Sequence, residues 1–563
     1  MKPKEIINWL SIFSLYLAVL LAVAYWSDSF AEGVLKEQLI SVIPVFLKIN
    51  FFLAGIGLIL NFKAIIKIFS GMRPEHAGLL LIVVSTGFAL SMFLAPRTHR
   101  IFYDETIYLN IGQNIAFQGQ AGMCNEGSFD HNKYVCTETE FNKQPYAYPF
   151  LNGLVFKIFG TGETAAFVFN NIIFAFAVIT VFLIGYLLFG EFYPALFSSL
   201  VFALIPDNLM WSNTTSSELS ASLFIGLAVL SALLFVRQKD LKSLFLLSVL
   251  LPFSVQFRME SILVIPLIFF LIALEDPKAL TKKSLYLFGV LAFALLVSHM
   301  VHIYAVRGDS WGSKGARMDF SYLKNNLRTN GLYYINNAKF PLIFTLFASV
   351  GLFLKKDLLK ERTFLASWFL CLWGIFIFFY AGSYGYGADV RYALMSFIPL
   401  SLLAGLGMYR FATLFKRKEA LVFFTAVAVS AVILSFLHFV PQIRTIGEEA
   451  CQARADHHYT QKMAEMLPEN SLVLTHNPNM FLLLGKNAAQ ASAAVYNPEK
   501  MNSYFDRYKG GVFFHFNFWC NVSDPVQQKF CTDILDKYEH TKIAGWHEKG
   551  YDFILYKLMP SPL

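Results

Sequence analysis

Four short stretches of this chain set ionisable side chains directly beside long apolar runs. The first, Arg97-Thr98-His99-Arg100-Ile101-Phe102-Tyr103-Asp104-Glu105-Thr106-Ile107-Tyr108, places two adjacent carboxylates just past such a run. The second, Asn142-Lys143-Gln144-Pro145-Tyr146-Ala147-Tyr148-Pro149-Phe150, puts a lysine before a Pro-aromatic segment. Arg258, in Phe257-Arg258-Met259-Glu260, stands between two short runs where a turn needs no arginine. Arg391 ends a fourth stretch rich in glycine and tyrosine, Tyr380 to Tyr392, between two late runs. A carboxylate can take a proton from a hydroxyl. Lys and Arg donors meet charge growing on a phosphate. One carboxylate pair with three separate cations at headgroup depth therefore suits chemistry on a lipid-linked phosphate. Each stretch alone also has an ordinary reading: Asp104 suits a helix start through the dipole, and Lys143 could snorkel.

The elements that must hold these residues are membrane helices. Of 563 residues, 56% are hydrophobic, 17% aromatic and only 15% charged, with 59 phenylalanines. Soluble chains carry about 25% charged residues, so a soluble enzyme, a disordered chain and a fibrous repeat are excluded. Apolar stretches near the ~20 residues that cross a bilayer fall at 6–26, 42–61, 77–95, 164–189, 193–209, 216–236, 244–256, 261–274, 285–304, 339–354, 363–380, 391–410 and 420–439. The expected fold is thus a polytopic α-helical membrane protein with about 13 spans and a small extracytoplasmic α/β domain at its C-terminus.

Charge sets the orientation. Counting every run as a span, one set of loops holds Lys63, Lys67 and Arg73; Arg237, Lys239 and Lys242; Lys278, Lys282 and Lys283; Lys355, Lys356, Lys360 and Arg362; and Lys416, Arg417 and Lys418. Merging 244–256 with 261–274 would send the last three clusters outside, so the positive-inside rule favours two crossings there. The net charge of +8 then reflects membrane orientation, not nucleic-acid binding. The first run reads as a span rather than a signal peptide because it is longer than a typical h-region. The expected organisation is two N-terminal helices in 1–76, a catalytic membrane region in 77–439 with a large outer loop at 96–163, and an extracytoplasmic domain in 440–563. Cys124 and Cys136 share the outer loop, and Cys520 and Cys531 share the tail, on the oxidising side where disulfides persist. Two intraloop disulfides are expected, with free thiols as the alternative, since connectivity is not a sequence property. A helix is expected from Asp104, lying at the membrane surface by the pattern Tyr108, Ile111, Ile115. Lys549-Gly550 is expected to turn between two final strands. The string Gly160-Thr161-Gly162-Glu163-Thr164-Ala165 follows a helical run and is no dinucleotide loop.

With these residues in view, the chain resembles the GT-C glycosyltransferases, in the branch of protein O-mannosyltransferases and the lipid A aminoarabinose transferase. The resemblance covers about residues 77–410. It rests on Asp104-Glu105 after a span, Lys143-x-Pro145 later in the same loop, Arg258 in a short turn, Arg391-Tyr392 opening a late span, and Glu218 starting another. Two departures stand out: Gln144 breaks the Lys-Pro-Pro of many relatives, and Asn170 stands where an arginine is common. The resemblance implies transfer of a sugar from a polyprenyl-phosphate donor to a lipid, glycan or protein acceptor on the outer or luminal face. It implies inversion, with Asp104 as base, Glu105 or Glu218 orienting groups around it, and Lys143, Arg258 and Arg391 on the donor phosphate. Tyr148, Tyr384, Tyr386 and Tyr392 would line the substrate. No metal ligand is assigned: there is no His-Glu-x-x-His string, His299 and His302 read as lining residues, and His457-His458 cannot both face one site from a helix. No cofactor is assigned either, although the resemblance leaves a divalent cation at Asp104 open. The expected location is the inner membrane of a prokaryote. A transporter or flippase is the competing class, but it predicts repeats and broken helices at mid-membrane.

Overall fold

The computed structural model describes residues 3–560 other than 31, 102, 132, 310–312, 314, 355–356, 386 and 415–416. The chain divides into two units. The first comprises residues 1–97, 143–148 and 167–448, and the second 98–142, 149–166 and 449–563.

The first unit is helical. Among the described residues, nine helices are long and apolar enough to cross a membrane: Ser11–Asp28, Gly33–Ser70, Pro74–Phe93, Glu163–Phe189, Glu218–Gln238, Lys283–Ala305, Leu359–Phe378, Val390–Ala412 and Glu419–Gln452. This is a multi-pass membrane protein. Three other runs expected to span form shorter apolar helices at Phe192–Ala203, Leu241–Val255 and Leu342–Phe353, and a fourth forms Val264–Glu275. Pro206 explains the first case: it begins a separate helix, Pro206–Trp211, because proline cannot continue a preceding helix. Small residues bring the inner helices close. A Cβ on Gly407 would fall 1.8 Å from the Phe347 carbonyl oxygen, and one on Gly405 2.2 Å from Ser198 Oγ, the small-residue contact typical of membrane helix pairs.

The second unit is built on a seven-stranded sheet. Its strands are β1 (Met123–Asp130), β2 (Lys133–Glu140), β3 (Ser471–Thr475), β4 (Asn487–Gln490), β5 (Gly511–Phe516), β6 (Glu539–Glu548) and β7 (Tyr551–Met559). The order across the sheet is β2-β1-β4-β3-β5-β7-β6. β3 runs parallel to β4 and β5, and the remaining pairs are antiparallel. Every β3 residue is buried, as a central strand covered on both faces requires. Lys549 and Gly550 turn β6 into β7 with φ of 53° and 82°, the positive pair that a tight hairpin turn demands.

The sheet differs from a domain confined to 440–563, because its first two strands come from the 96–163 loop. β4 needs a neighbour on its open side, and β1 supplies it through Glu126 opposite Ala489 and Gly127 opposite Ala488. Gly127 permits the approach, since a Cβ there would lie 2.8 Å from Leu482 Cδ2. One sheet cannot be divided by a bilayer, so the number of crossings between β2 and β3 must be even. Two crossings for 244–256 and 261–274 keep that parity within the expected thirteen; merging them breaks it.

The Asp104–Phe117 helix buries Tyr108, Ile111 and Ile115 as its periodicity requires, but it buries Asn110, Gln113 and Asn114 as well. Asn110 Oδ1 accepts from the Cys124 amide at 2.8 Å, Asn114 Nδ2 donates to the Gly122 carbonyl at 2.6 Å, and Gln113 Nε2 donates to the Leu482 carbonyl at 3.3 Å. The helix expected at a membrane surface therefore also spends its polar face inside the sheet-bearing unit.

Candidate active site

In the membrane unit the charged residues converge on Glu218. This residue opens the Glu218–Gln238 helix and is fully buried, a position that suits a carboxylate because the helix dipole is positive there. Arg258 is extended, with φ −150°, just before the short 3-10 helix Met259–Leu263. Its Nη1 donates to Glu218 Oε1 and its Nε donates to Glu260 Oε1. Arg391 Nε lies 3.6 Å from the same Glu218 oxygen. The Tyr392 ring serves both guanidiniums, with Cζ of Arg258 5.5 Å and Cζ of Arg391 5.1 Å from its centroid. That ring stacks on Phe376 at 4.4 Å, and its hydroxyl accepts from Arg391 Nη2 at 3.3 Å.

Exposure orders the cluster. The Glu218 side chain is 1% exposed, while Arg258 and Arg391 keep 13% and 16%. The carboxylate holds both cations from behind, and the guanidiniums form the accessible edge. Arg258 uses two of its five N–H donors on the glutamates, which leaves forked donors of the kind that bind phosphate. Two arginines and two glutamates leave the group formally neutral before any anion binds.

The other expected residues occupy different settings. Lys143 is half-buried, and its carbonyl accepts from His302 Nε2 at 3.1 Å. His299 and His302 are themselves buried, with ring centroids 5.9 Å apart. Tyr148 is buried and donates to Asn170 Oδ1 at 3.4 Å. Asn170 in turn donates to the Thr214 carbonyl at 2.5 Å, bracing the turn that leads into Glu218. Tyr384 is placed inside a buried tyrosine cluster, 5.5 Å from Tyr333 and 6.4 Å from Tyr334, where Tyr333 donates to Asp207. Tyr386 lies outside the described residues.

Asp104, in the second unit, is the first residue of its helix, and Tyr103 is the N-cap with φ 62°. Such a backbone is costly for a bulky residue, and side-chain contacts hold it. Tyr103 donates to Asp456 Oδ2 at 2.5 Å, and its ring stacks on Trp519 at 5.8 Å. Burial raises the Asp456 pKa to about 6 against the lowering effect of that hydrogen bond. Glu105, expected to orient groups around Asp104, is fully buried and binds the preceding loop instead. It accepts from the amides of Arg100 and Ile101 at 2.7 and 2.9 Å and pairs with His99 Nδ1 at 3.1 Å. Burial alone would lower the His99 pKa, but hydrogen bonds to Glu105 and Glu163 outweigh it and raise it to about 10. Cys124–Cys136 and Cys520–Cys531 are disulfides.

Sequence reasoning missed Glu260, whose i+2 spacing from Arg258 was visible but ambiguous. It also missed His99, Glu163 and His457, which nothing in the local sequence connects. Among the described residues, groups of His, Cys, Asp or Glu close enough to share an ion are His99–Glu163–His457 and His476–Cys520–Cys531. Asp104 is in neither, so no metal-dependent step is derived for it.

Residues 143–302 match the family model described as dolichyl-phosphate-mannose-protein mannosyltransferase. In fold, the chain is similar to ArnT from Cupriavidus metallidurans, solved bound to undecaprenyl phosphate, with TM-score 0.53, 13% identity and coverage of 86% of this chain and 98% of that one. It is also similar to the Archaeoglobus fulgidus oligosaccharyltransferase in its apo form, with TM-score 0.51, 12% identity and coverage of 86% and 74%. No curated protein matches the chain by sequence.

Proposed function

We propose that this chain, which is similar in fold to ArnT and to the oligosaccharyltransferase and matches the mannosyltransferase family model over residues 143–302, is a GT-C membrane glycosyltransferase that transfers a sugar from a polyprenyl-phosphate donor to a lipid, glycan or protein acceptor. The observation that carries this reading is the pair of guanidiniums, Arg258 and Arg391, gathered on buried Glu218 with Tyr392 beneath them. Such a pair is suited to a phosphate whose charge grows as its bond to the sugar breaks. Lys143 is the third proposed donor to that phosphate.

The reaction is a single displacement. The acceptor oxygen or nitrogen forms a bond to the anomeric carbon as the bond to phosphate oxygen breaks, and the configuration inverts. The departing polyprenyl phosphate keeps the bonding electrons and needs no proton, so one carboxylate base suffices where a glycosidase would use two carboxyl groups. Asp104 is the proposed base, with Tyr103 fixing the start of its helix. Tyr148 and Tyr392 are proposed near the sugar or lipid, whereas the ring contacts of Tyr384 with Tyr333 and Tyr334 favour a packing role. The active face and the sheet-bearing unit are proposed to lie outside the cytosol, in the inner membrane of a prokaryote. The Lys/Arg-rich loops and two disulfides support that placement.

The test is transfer from a panel of radiolabelled polyprenyl-phosphate sugars by the purified protein in micelles. One donor should be consumed with release of polyprenyl phosphate, and Asp104→Asn should abolish that release. Folded protein that consumes no donor in the panel, supplied with lipid, glycan and peptide acceptors, would overturn the reading.

A further inference from the structure

We propose that His99, Glu163 and His457 form a binding site for a zinc-type divalent metal ion, which ties the segment entering the Asp104 helix to the C-terminal part of the same unit. His99 Nε2 lies 3.1 Å and His457 Nε2 2.8 Å from Glu163 Oε1, and all three ligand atoms fall within 4.8 Å of one another. Zn–N and Zn–O bonds of about 2.0–2.2 Å set the ligand atoms of a tetrahedral site about 3.3 Å apart, close to the two carboxylate–imidazole distances. The chemistry is that of a His2Glu set, which zinc completes with a water molecule. The His457 and Glu163 side chains remain 22% and 13% exposed, leaving a way in for that water.

The carboxylate behind His99 strengthens the case. Glu105 is buried and accepts the backbone N–H groups of Arg100 and Ile101, which fixes its carboxylate behind His99. Its contact with His99 Nδ1 at 3.1 Å leaves Nε2 as the ring atom that faces Glu163. Without metal a proton holds Nε2 against Glu163, and a divalent ion would take that proton's place between the same two atoms. A carboxylate behind a histidine ligand is the usual second layer of a zinc site, fixing ring and tautomer.

The ligands are also held apart by bonds that do not depend on the ion. Arg454 donates through Nε to the His99 carbonyl at 2.5 Å and through Nη2 to the Arg100 carbonyl at 2.6 Å. Two residues after Arg454, Asp456 receives the Tyr103 hydroxyl. His99, Arg100 and Tyr103 are thereby fixed against Arg454 and Asp456. The other close group, His476 with Cys520 and Cys531, offers no comparable set because its two sulfurs form a disulfide.

The experiment uses the full chain in detergent with its affinity tag removed, stripped with EDTA and then titrated with Zn2+. Metal content is read by mass spectrometry and thermal stability by a melting curve, so the outcome does not depend on glycosyl transfer. About one zinc per chain and a higher Tm are expected. His457→Ala and Glu163→Gln should each weaken binding at least tenfold, and Glu105→Gln by about 10–100-fold. His458→Ala, at the exposed neighbour, should change nothing. Co2+ should give a tetrahedral ligand-field spectrum without thiolate charge transfer, which excludes Cys371 and Cys451 as the source. Equal zinc content in wild type, His457→Ala and Glu163→Gln, or no saturable binding by folded wild type, overturns the proposal. A purely proton-held ion pair would leave Tm indifferent to zinc while Glu163→Gln still lowered it, and that result overturns it too.

Discussion

Arg258 and Arg391 share one oxygen of Glu218, so a single buried carboxylate sets the spacing of two guanidiniums that would otherwise repel. Replacing that carboxylate by an amide leaves two adjacent cations with one anion fewer. Breaking a buried ion pair costs about 3–5 kcal/mol. Glu218→Gln should therefore lower Tm and weaken donor binding together. Retention of both by this variant would show that the arginines are positioned by something else.

Arg258→Ala, Arg391→Ala and Lys143→Ala should each weaken binding of the polyprenyl-phosphate donor. A charge-assisted hydrogen bond is worth about 1.5–3 kcal/mol, or roughly 10–150-fold in affinity. Arg258→Lys should recover only part of the loss, because a point charge cannot engage Glu218, Glu260 and a phosphate through a planar fork. Equilibrium binding in detergent checks this. Wild-type affinity in all three alanine variants would remove these residues from the phosphate site.

Asp104→Asn should reduce turnover by ~10²–10⁴ while donor affinity stays nearly unchanged. Tyr103 occupies the N-cap and Asp104 the first helical position, where loss of the charge removes a dipole contribution of about 0.3–1 kcal/mol. Rate and melting temperature measured on the same preparation separate the two effects. A variant that turns over at the wild-type rate rules out the catalytic role.

Reduction of Cys124–Cys136 should loosen the β1–β2 hairpin. The bond closes a loop with a sequence separation of 12, for which chain entropy predicts about 3 kcal/mol. The double variant Cys124→Ser/Cys136→Ser should melt earlier and be cut sooner by protease within 123–140. Non-reducing peptide mapping should recover both cross-linked pairs in the native protein.

Acid should weaken the sheet-bearing unit through His476. Burial lowers its pKa from 6.5 to about 4, with Gln527 opposing. Between those two values the unfolded chain binds a proton that the folded one rejects, so stability falls as pH drops from about 6.5 toward 4. The loss is about 3 kcal/mol at most. His476→Gln should flatten this part of the Tm-against-pH curve, and an unaltered slope would place the acid sensitivity elsewhere.

Arg258 and Arg391 could be named from sequence because charges between apolar runs stand out against the membrane's demand for neutrality. What joins them could not. Glu218 precedes Arg258 by 40 positions, and its distance from each arginine depends on how helices pack, not on any local pattern. The same limit hid β1 and β2, whose alternation is weak, and whose partner β4 is only four residues long. The Asp104–Phe117 helix was legible as a helix from its apolar period, but burial of Asn110, Gln113 and Asn114 was not, since polar residues announce burial only through the partners they find.

The shared sheet also sets an order of events during synthesis. The Phe129 amide donates to Asn487 Oδ1 across 358 residues. At about 5–20 residues per second, roughly 20 to 70 s separate the making of these two partners. Through that interval the β1 edge stands open, and open edges recruit other chains. Cys124 and Cys136 both lie in the hairpin and can join before the tail exists, holding β1 in shape as a template on which β4 later docks. A ribosome that stops short of β4 would leave that edge permanently uncovered, a mark by which a quality-control protease could tell the unfinished enzyme from the complete one.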